Sequence, residues 1–239
     1  MWWRNKYRMK QPVYKRWWFL AGLGAVTLFL VMTIIPVWLY TFVDPPTTPL
    51  MWIRWMEDDS GKKFPLFLKE WKSLKEISPR LARAVITSED QKFFSHNGFD
   101  WEEVVNAFED NLTSKRKRGA STISMQTARN VFLWQKRNWL RKGLEAYFTF
   151  LIEAFWSKER ILEVYLNVIE WGDGVFGCEN ASRKYFKHSA RWITRSEAAW
   201  MAAILPNPRS WSKAKYQVRV QKRQAHILQS MRFLKLPAI

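Results

Sequence analysis

Hydrophobic and polar positions change rhythm twice along this chain. Residues 17–43 form one apolar run without a charge. At about 1.5 Å per residue, a helix of that length crosses the roughly 30 Å hydrocarbon core of a bilayer. Trp17 and Trp18 stand at one end, and Trp38 and Tyr40 at the other. Amphipathic rings settle at headgroup level in just such positions. Pro36 is tolerable in a membrane helix and is a candidate kink. Over residues 44–77 the rhythm lapses. Pro45, Pro46 and Pro49, then Asp58, Asp59, Ser60 and Gly61, predict a linker and membrane-proximal segment.

From Ser78 the period becomes helical. Ser78 followed by Pro79 reads as an N-cap and a first helical position. Leu81, Ala84, Val85 and Ser88 then share a face, which places Glu89 near the end of that helix. Asp100 and Glu103 have capping-box spacing, as do Thr194 and Glu197. Residues 111–119 read as a basic, mobile loop, and a helix over 198–205 stops at Pro206 and Pro208. There is no strand series and no internal repeat. The predicted fold class is mainly α. A basic tail (1–16) precedes a transmembrane helix (17–43), a linker (44–77) and a helical domain (78–239).

Charge adds direction. The net charge is +18 and the chain holds 16 Trp and 16 Phe. Strong positive charge implies an anionic partner. Aromatics beside Lys and Arg suit a membrane interface better than a duplex reader, so nucleic acid is not an expected partner. Arg4, Lys6, Arg8, Lys10, Lys15 and Arg16 precede the apolar run, and Asp44 follows it. The positive-inside rule then puts the N-terminus in the cytoplasm and the domain outside, in a bacterium the periplasm. The run is too long for a cleaved signal peptide, and no small-residue cleavage site follows it. Cys178 is a single cysteine, expected as a small buried hydrophobe.

Candidate chemistry concentrates at residues 87–100, where Glu89 and Asp90 sit among Phe93, Phe94, His96 and Gly98. Carboxylates beside phenylalanines are prone to desolvation, which strengthens a carboxylate as a base. A second acid, Glu145, follows among Arg141 and Lys142. Two carboxylates framing a cationic cleft suggest chemistry on a sugar or a phosphate ester. Residues 119–130 are small and hydroxyl-rich. Ser121, Thr122 and Gln126 offer hydrogen bonds, and Arg129 a planar cationic fork.

Together these segments resemble the peptidoglycan glycosyltransferases of glycosyltransferase family 51. Residues 89–98 fit the first motif, acid-acid-x-x-Phe-x-x-His-x-Gly, and residues 119–130 fit the second. Residues 141–145 fit the third. Residues 158–167, with Gly172, Gly177, Tyr185 and Phe186, fit the fourth, and residues 196–208 the fifth. Five motifs in order make this a specific likeness, and it is closest to the monofunctional members, which have no transpeptidase. Ala120, Met125 and Arg129 stand where many members have Gly, Gln and Lys. Ala120 costs little, Arg129 keeps the charge, and Met125 removes one amide but leaves Gln126.

The resemblance implies a lysozyme-like helical domain that polymerises lipid II into β-1,4-linked glycan with release of undecaprenyl pyrophosphate. Glu89 and Glu145 are the implied catalytic residues, Glu89 as general base and Glu145 beside the pyrophosphate. The implied substrate-binding group in the first motif is Asp90, Phe93, His96 and Gly98, with His96 shaping the loop and Asp90 supporting it. The rest of that group is Ser121, Thr122, Gln126, Arg129, Asn130, Arg137, Arg141 and Lys142. Tyr165 and Asn167 are expected to brace the fourth-motif helix. Val131, Phe132, Leu133, Trp134 and Trp139 are expected either in the bilayer or in the core. No cofactor is required, with a divalent cation (Mg or Mn) as an optional aid. Partners are lipid II, the nascent glycan, membrane lipid and other cell-wall synthesis proteins. The alternative is a lysozyme-like enzyme that cleaves glycan. The cationic second and third motifs favour a pyrophosphate leaving group over it. Two short Ser-x-x-Lys matches, at Ser114 and Ser212, lack the further element of a penicillin-binding acyl-transferase.

Overall fold

The computed structural model describes residues 13–57, 70–113, 119–136 and 138–237. Two compact units emerge, Met1–Phe42 and Val43–Ile239. The first consists, among its described residues, of helix α1 (Val13–Leu39) and a closing turn. Its stretch Trp17–Leu39 is long and apolar enough to cross a membrane. Side chains from residue 17 to 32 are exposed all round, as a span needs in lipid rather than in a protein core. Thr33 satisfies its own hydroxyl by donating to the Phe29 carbonyl at 2.8 Å, which removes a bare polar group from an apolar surface.

The second unit is mainly α-helical. Its described helices are α2 (Pro49–Glu57), α3 (Pro79–Glu89), α4 (Trp101–Thr113), α5 (Ile123–Phe132), α6 (Trp139–Phe155) and α7 (Lys158–Val168). A short antiparallel hairpin follows, β1 (Glu170–Gly172) with β2 (Val175–Phe176), pairing Glu170 with Phe176 and Gly172 with Val175. Then come α8 (Cys178–Phe186), α9 (Arg195–Ile204), α10 (Pro208–Trp211) and α11 (Gln217–Ser230). The helices start where side chains can take up free amide groups. Thr122, Asn138, Ser157 and Thr194 each accept an N–H from the first turn, and Thr194 with Glu197 forms a complete capping box. Pro79 opens α3 as expected, but the Ser78 hydroxyl donates to the Ile193 carbonyl at 2.9 Å instead of capping.

Two packed groups form the core. α9 lies against α3 and α11, and its Ala198, Ala199, Ala202 and Ala203 are completely buried. Those small side chains let Leu81, Val85 and Ile86 of α3 close over them. α5 lies between α6 and α7, burying Ile123, Ala128, Ile152, Ile161 and Leu162. Glu89 ends α3 and Gln126 lies in α5, so these two groups present their polar edges to each other.

Three local readings differ. Residues 49–57 of the expected linker are the helix α2, because Leu50 and Met51 bury against Phe176, a partner remote in sequence. The expected loop from 111 begins later, since α4 runs through Thr113, and residues 114–118 lie outside the described residues. The hairpin appears where Gly174, at φ 67°, turns the chain. Cys178 is fully buried, and burial followed by the charge of Glu179 pushes its thiol up to about 12.

Candidate active site

Glu89 is held by two neutral donors and one guanidinium. Gln126 Nε2 donates to its Oε2 at 3.1 Å, and the Ser88 hydroxyl donates to its Oε1 at 3.0 Å. Arg223 Nη2, from α11, approaches Oε1 at 3.4 Å and donates to the Ser88 hydroxyl at 3.0 Å. The glutamate side chain remains 14% exposed, so one face stays open for a proton donor. Tyr165 donates its hydroxyl to Gln126 Oε1 at 3.1 Å, which fixes the amide so that its NH₂ faces the carboxylate. Burial, reinforced by the charge of Glu89, holds the Tyr165 phenol well above its ordinary value, so it stays a donor.

Gln126 also separates two cavities. One, of about 290 Å³, is lined by Glu89, Gln91, Lys92, Asp100, Gly119 and Ser121. The other, of about 300 Å³, is lined by Gln126, Arg54, Arg129, Asn130, Arg141 and Glu170 among others. The Nε atoms of Arg129 and Arg141 are buried without a hydrogen-bond partner. No carboxylate pairs with Arg129 among the described residues. A buried orphan donor costs about 1–3 kcal/mol, so two beside one cavity are the signature of an anion site.

Glu145 does not stand free as a second acid or base. It is 1% exposed, with one oxygen bonded to Arg141 Nη1 and the other to Lys142 Nζ at 2.6 Å. Its charge orders two cations, one of which lines the anion cavity. Lys142 is 45% exposed at the rim. Asn130 lies in the cavity wall, and Ser121 lines the other cavity. Arg137 lies outside the described residues.

The first-motif residues form a frame instead of a contact surface. Asp90 takes His96 Nε2 on both oxygens at 3.0 Å and the Ile123 amide on Oδ2 at 2.9 Å. His96 Nδ1 accepts from the Gly98 amide at 3.1 Å, which leaves the Nε2–H to donate to Asp90. The Thr122 hydroxyl donates to the Gly98 carbonyl at 2.6 Å and accepts the Met125 amide at 3.2 Å. Phe93 is completely buried. Gly98 adopts φ +88°, and a Cβ there would meet Thr149 Cγ2 at 2.8 Å. Asp90, Phe93, His96, Gly98 and Thr122 therefore spend their groups on one another, tying the loop to the N-terminus of α5. They support Glu89 and Gln126 from behind, and Asp90 and Thr122 also line the Glu89 cavity.

Other expectations divide. Asn167 braces α7, accepting the Lys72 amide at 3.0 Å and donating to its carbonyl at 2.8 Å. Tyr165 instead reaches the catalytic amide. Val131 and Leu133 are buried, Phe132 stacks on Phe148 at 4.7 Å, and Trp139 is 92% exposed. Met125, the departure from the second motif, is buried. Sequence reasoning missed Arg54, Ser88, Glu170 and Arg223. Ser88 adjoins Glu89 in the chain, but no local pattern marks the other three. The carboxylates near the anion cavity, Glu145 and Glu170, are committed to cations. No group of three or more His, Cys, Asp or Glu able to hold a metal occurs among the described residues. This donor set does not fit a protein-held divalent cation.

An open-faced carboxylate held beside a cavity lined by guanidinium groups is an arrangement suited to group transfer. The chain belongs to the transglycosylase family, described as Transglycosylase, which residues 64–232 match. A biosynthetic peptidoglycan transglycosylase of Bdellovibrio bacteriovorus is 53% identical over 204 residues, covering 85% of this chain and 82% of the relative. Proteins of the same description from Bacteroides thetaiotaomicron and Caulobacter vibrioides are each 47% identical. They cover 88% and 84% of this chain, and 86% and 87% of their own lengths.

Proposed function

We propose that this chain is a peptidoglycan glycosyltransferase that polymerises lipid II at the outer face of a bacterial cytoplasmic membrane. The observation that carries the reading is the junction of the two cavities. Glu89 faces one, and Arg129 and Arg141, each with a buried Nε that makes no hydrogen bond, line the other. The acceptor presents the 4-hydroxyl of its N-acetylglucosamine to Glu89, which takes the proton. The freed oxygen pair forms a bond to C1 of the N-acetylmuramic acid at the end of the growing chain. The bond from C1 to the pyrophosphate oxygen breaks, and the pyrophosphate leaves with that electron pair. An α-linked donor becomes a β-1,4 product, so the reaction inverts.

Each residue has a physical task. Gln126, Ser88 and Arg223 hold the base in one orientation, which a proton transfer requires. Arg129 and Arg141 meet the charge that develops on the leaving group, and Lys142 adds to it at the rim. Glu145 keeps Arg141 and Lys142 pointed together. Trp101, Val105, Phe108 and Leu112 form one exposed apolar stripe on α4, and Trp139 and Leu140 start α6 exposed. Such surfaces insert at a lipid interface, where the polyprenyl tail lies. The basic residues before α1 fit a cytoplasmic N-terminus.

Purified full-length protein given labelled lipid II is expected to yield long glycan, and the Glu89→Gln variant to yield almost none while remaining folded. Absence of polymer from the wild type, or release of fragments from isolated sacculi, overturns the assignment.

A further inference from the structure

Arg54 lies before the family match, which starts at residue 64, yet its side chain lines the cavity of Arg129 and Arg141. Its placement follows from the helix that carries it. Thr48, 1% exposed, accepts the Met51 amide at 3.3 Å and starts α2. Leu50 and Met51 then bury against Phe176. Arg54 follows them by four and three positions and so shares their inward face.

Two acids fix the guanidinium. Its Nε donates to Glu170 Oε2 at 3.2 Å, and its Nη1 donates to Glu57 Oε2 at 2.7 Å. Glu170 is itself held, accepting the Gly174 amide at 3.2 Å within the hairpin. Burial pushes the Glu170 carboxyl up from its ordinary value, and Arg54 counters that shift. Nη2 makes no hydrogen bond among the described residues. A guanidinium held by carboxylates at Nε and Nη1, at the wall of a cavity it shares with Arg129 and Arg141, keeps Nη2 to offer to phosphate oxygens. Among the described lining residues, Arg54, Arg129 and Arg141 oppose the one carboxylate Glu170.

We propose that Arg54 is a further binding residue for the leaving pyrophosphate, and that Glu170 is its positioning residue. The proposal rests on the glycosyltransferase reading above and extends its anion site to a helix that the family match does not include. Arg54 does two things there. It donates hydrogen bonds to the pyrophosphate, and it neutralises a carboxylate that would otherwise repel it.

The test uses full-length protein in detergent micelles, with farnesyl pyrophosphate as a competitive probe of lipid II polymerisation. Direct binding of the probe and the melting temperature are measured in parallel. Arg54→Gln is expected to weaken probe binding and inhibition by about 10- to 100-fold, the range of a lost hydrogen bond to a charged group. Arg54→Lys is expected to restore part of that loss. In Arg54→Gln with Glu170→Gln, the melting temperature is expected to recover while probe affinity stays weak, because repulsion is gone but the donors are not returned. If Arg54→Gln binds the probe as wild type does, or if the double variant regains full affinity, Arg54 only anchors α2 and the proposal fails. Wild type that binds the probe in an Arg54-dependent way but makes no glycan sinks the glycosyltransferase reading and leaves the anion-site assignment standing.

Discussion

Glu89 and Glu145 are the same side chain in two opposite settings. Glu89 ends a helix, keeps one open face, and takes hydrogen bonds chiefly from an amide and a hydroxyl. Glu145 sits within α6, is 1% exposed, and is locked between a guanidinium and an ammonium. A buried carboxylate with a cation on each oxygen is committed as their counter-charge, and taking up a proton would give up both contacts. One held by an amide, a hydroxyl and a single longer contact to Arg223 keeps its orientation and an open face. Proximity to the cleft does not therefore assign catalytic duty, and the charge of the neighbours does. On the proposed reaction the pair also divides labour: one acid accepts a proton while the other arranges the cations that receive the leaving charge.

The contrast breaks most visibly in kinetics. Glu89→Gln keeps the volume but removes the base and one acceptor oxygen, so polymerisation is expected to fall by about 10²- to 10⁴-fold with only a small change in melting temperature. Glu145→Gln is expected to act mainly on the fold. Removing one partner of a buried ion pair costs about 3 kcal/mol, read as a shifted denaturation midpoint, with activity lost in step. If Glu145→Gln left stability intact and abolished turnover, the division between the two acids would collapse. Tyr165→Phe sharpens the Glu89 side. It frees Gln126 to rotate, and a lost hydrogen bond of about 1 kcal/mol should appear as a several-fold drop in kcat with KM little changed. The raised Tyr165 phenol should also keep its tyrosinate absorbance from appearing until alkaline pH beyond the ordinary range.

His188 and Glu197 supply the solvent-exposed counterpart, paired at 3.2 Å with side chains 30% and 24% exposed. The Ser189 carbonyl, and then Glu197, raise the His188 pKa above its ordinary 6.5. A raised folded value means that the stabilisation is complete below the unfolded value and fades as pH rises through the folded one. Solvent screening limits the pair to below about 1 kcal/mol. Melting temperature followed from about pH 5 to 9 should show a small decline that His188→Gln removes.

Much of the site was legible because its residues are close in the chain. Asp90, His96, Gly98 and Thr122 stand out through the motifs of the family they resemble, and the structure joins them in one frame. The particular bonds among them are not legible in sequence. Spacing brings a histidine and an aspartate into the same loop, but it does not say whether they face a cleft or each other. Arg54, Glu170 and Arg223 lay out of reach for a different reason. Each meets its partner across more than a hundred residues, and a charged residue on a helix looks the same in sequence whether it faces water or a cavity. The helix α2 was read as linker because its prolines are local signals, whereas the burial of Leu50 and Met51 against Phe176 is not.

From sequence alone came the apolar span, the helical class, the helix starts and the motif that carries Glu89. These depend on period, capping and motif order, all of which are properties of neighbours along the chain. Tertiary structure alone decided which acid stays available, which residues merely support it, and which guanidinium groups remain unsatisfied beside a cavity. Those outcomes depend on desolvation and on which charges meet. Both are set only when helices distant in the chain have packed.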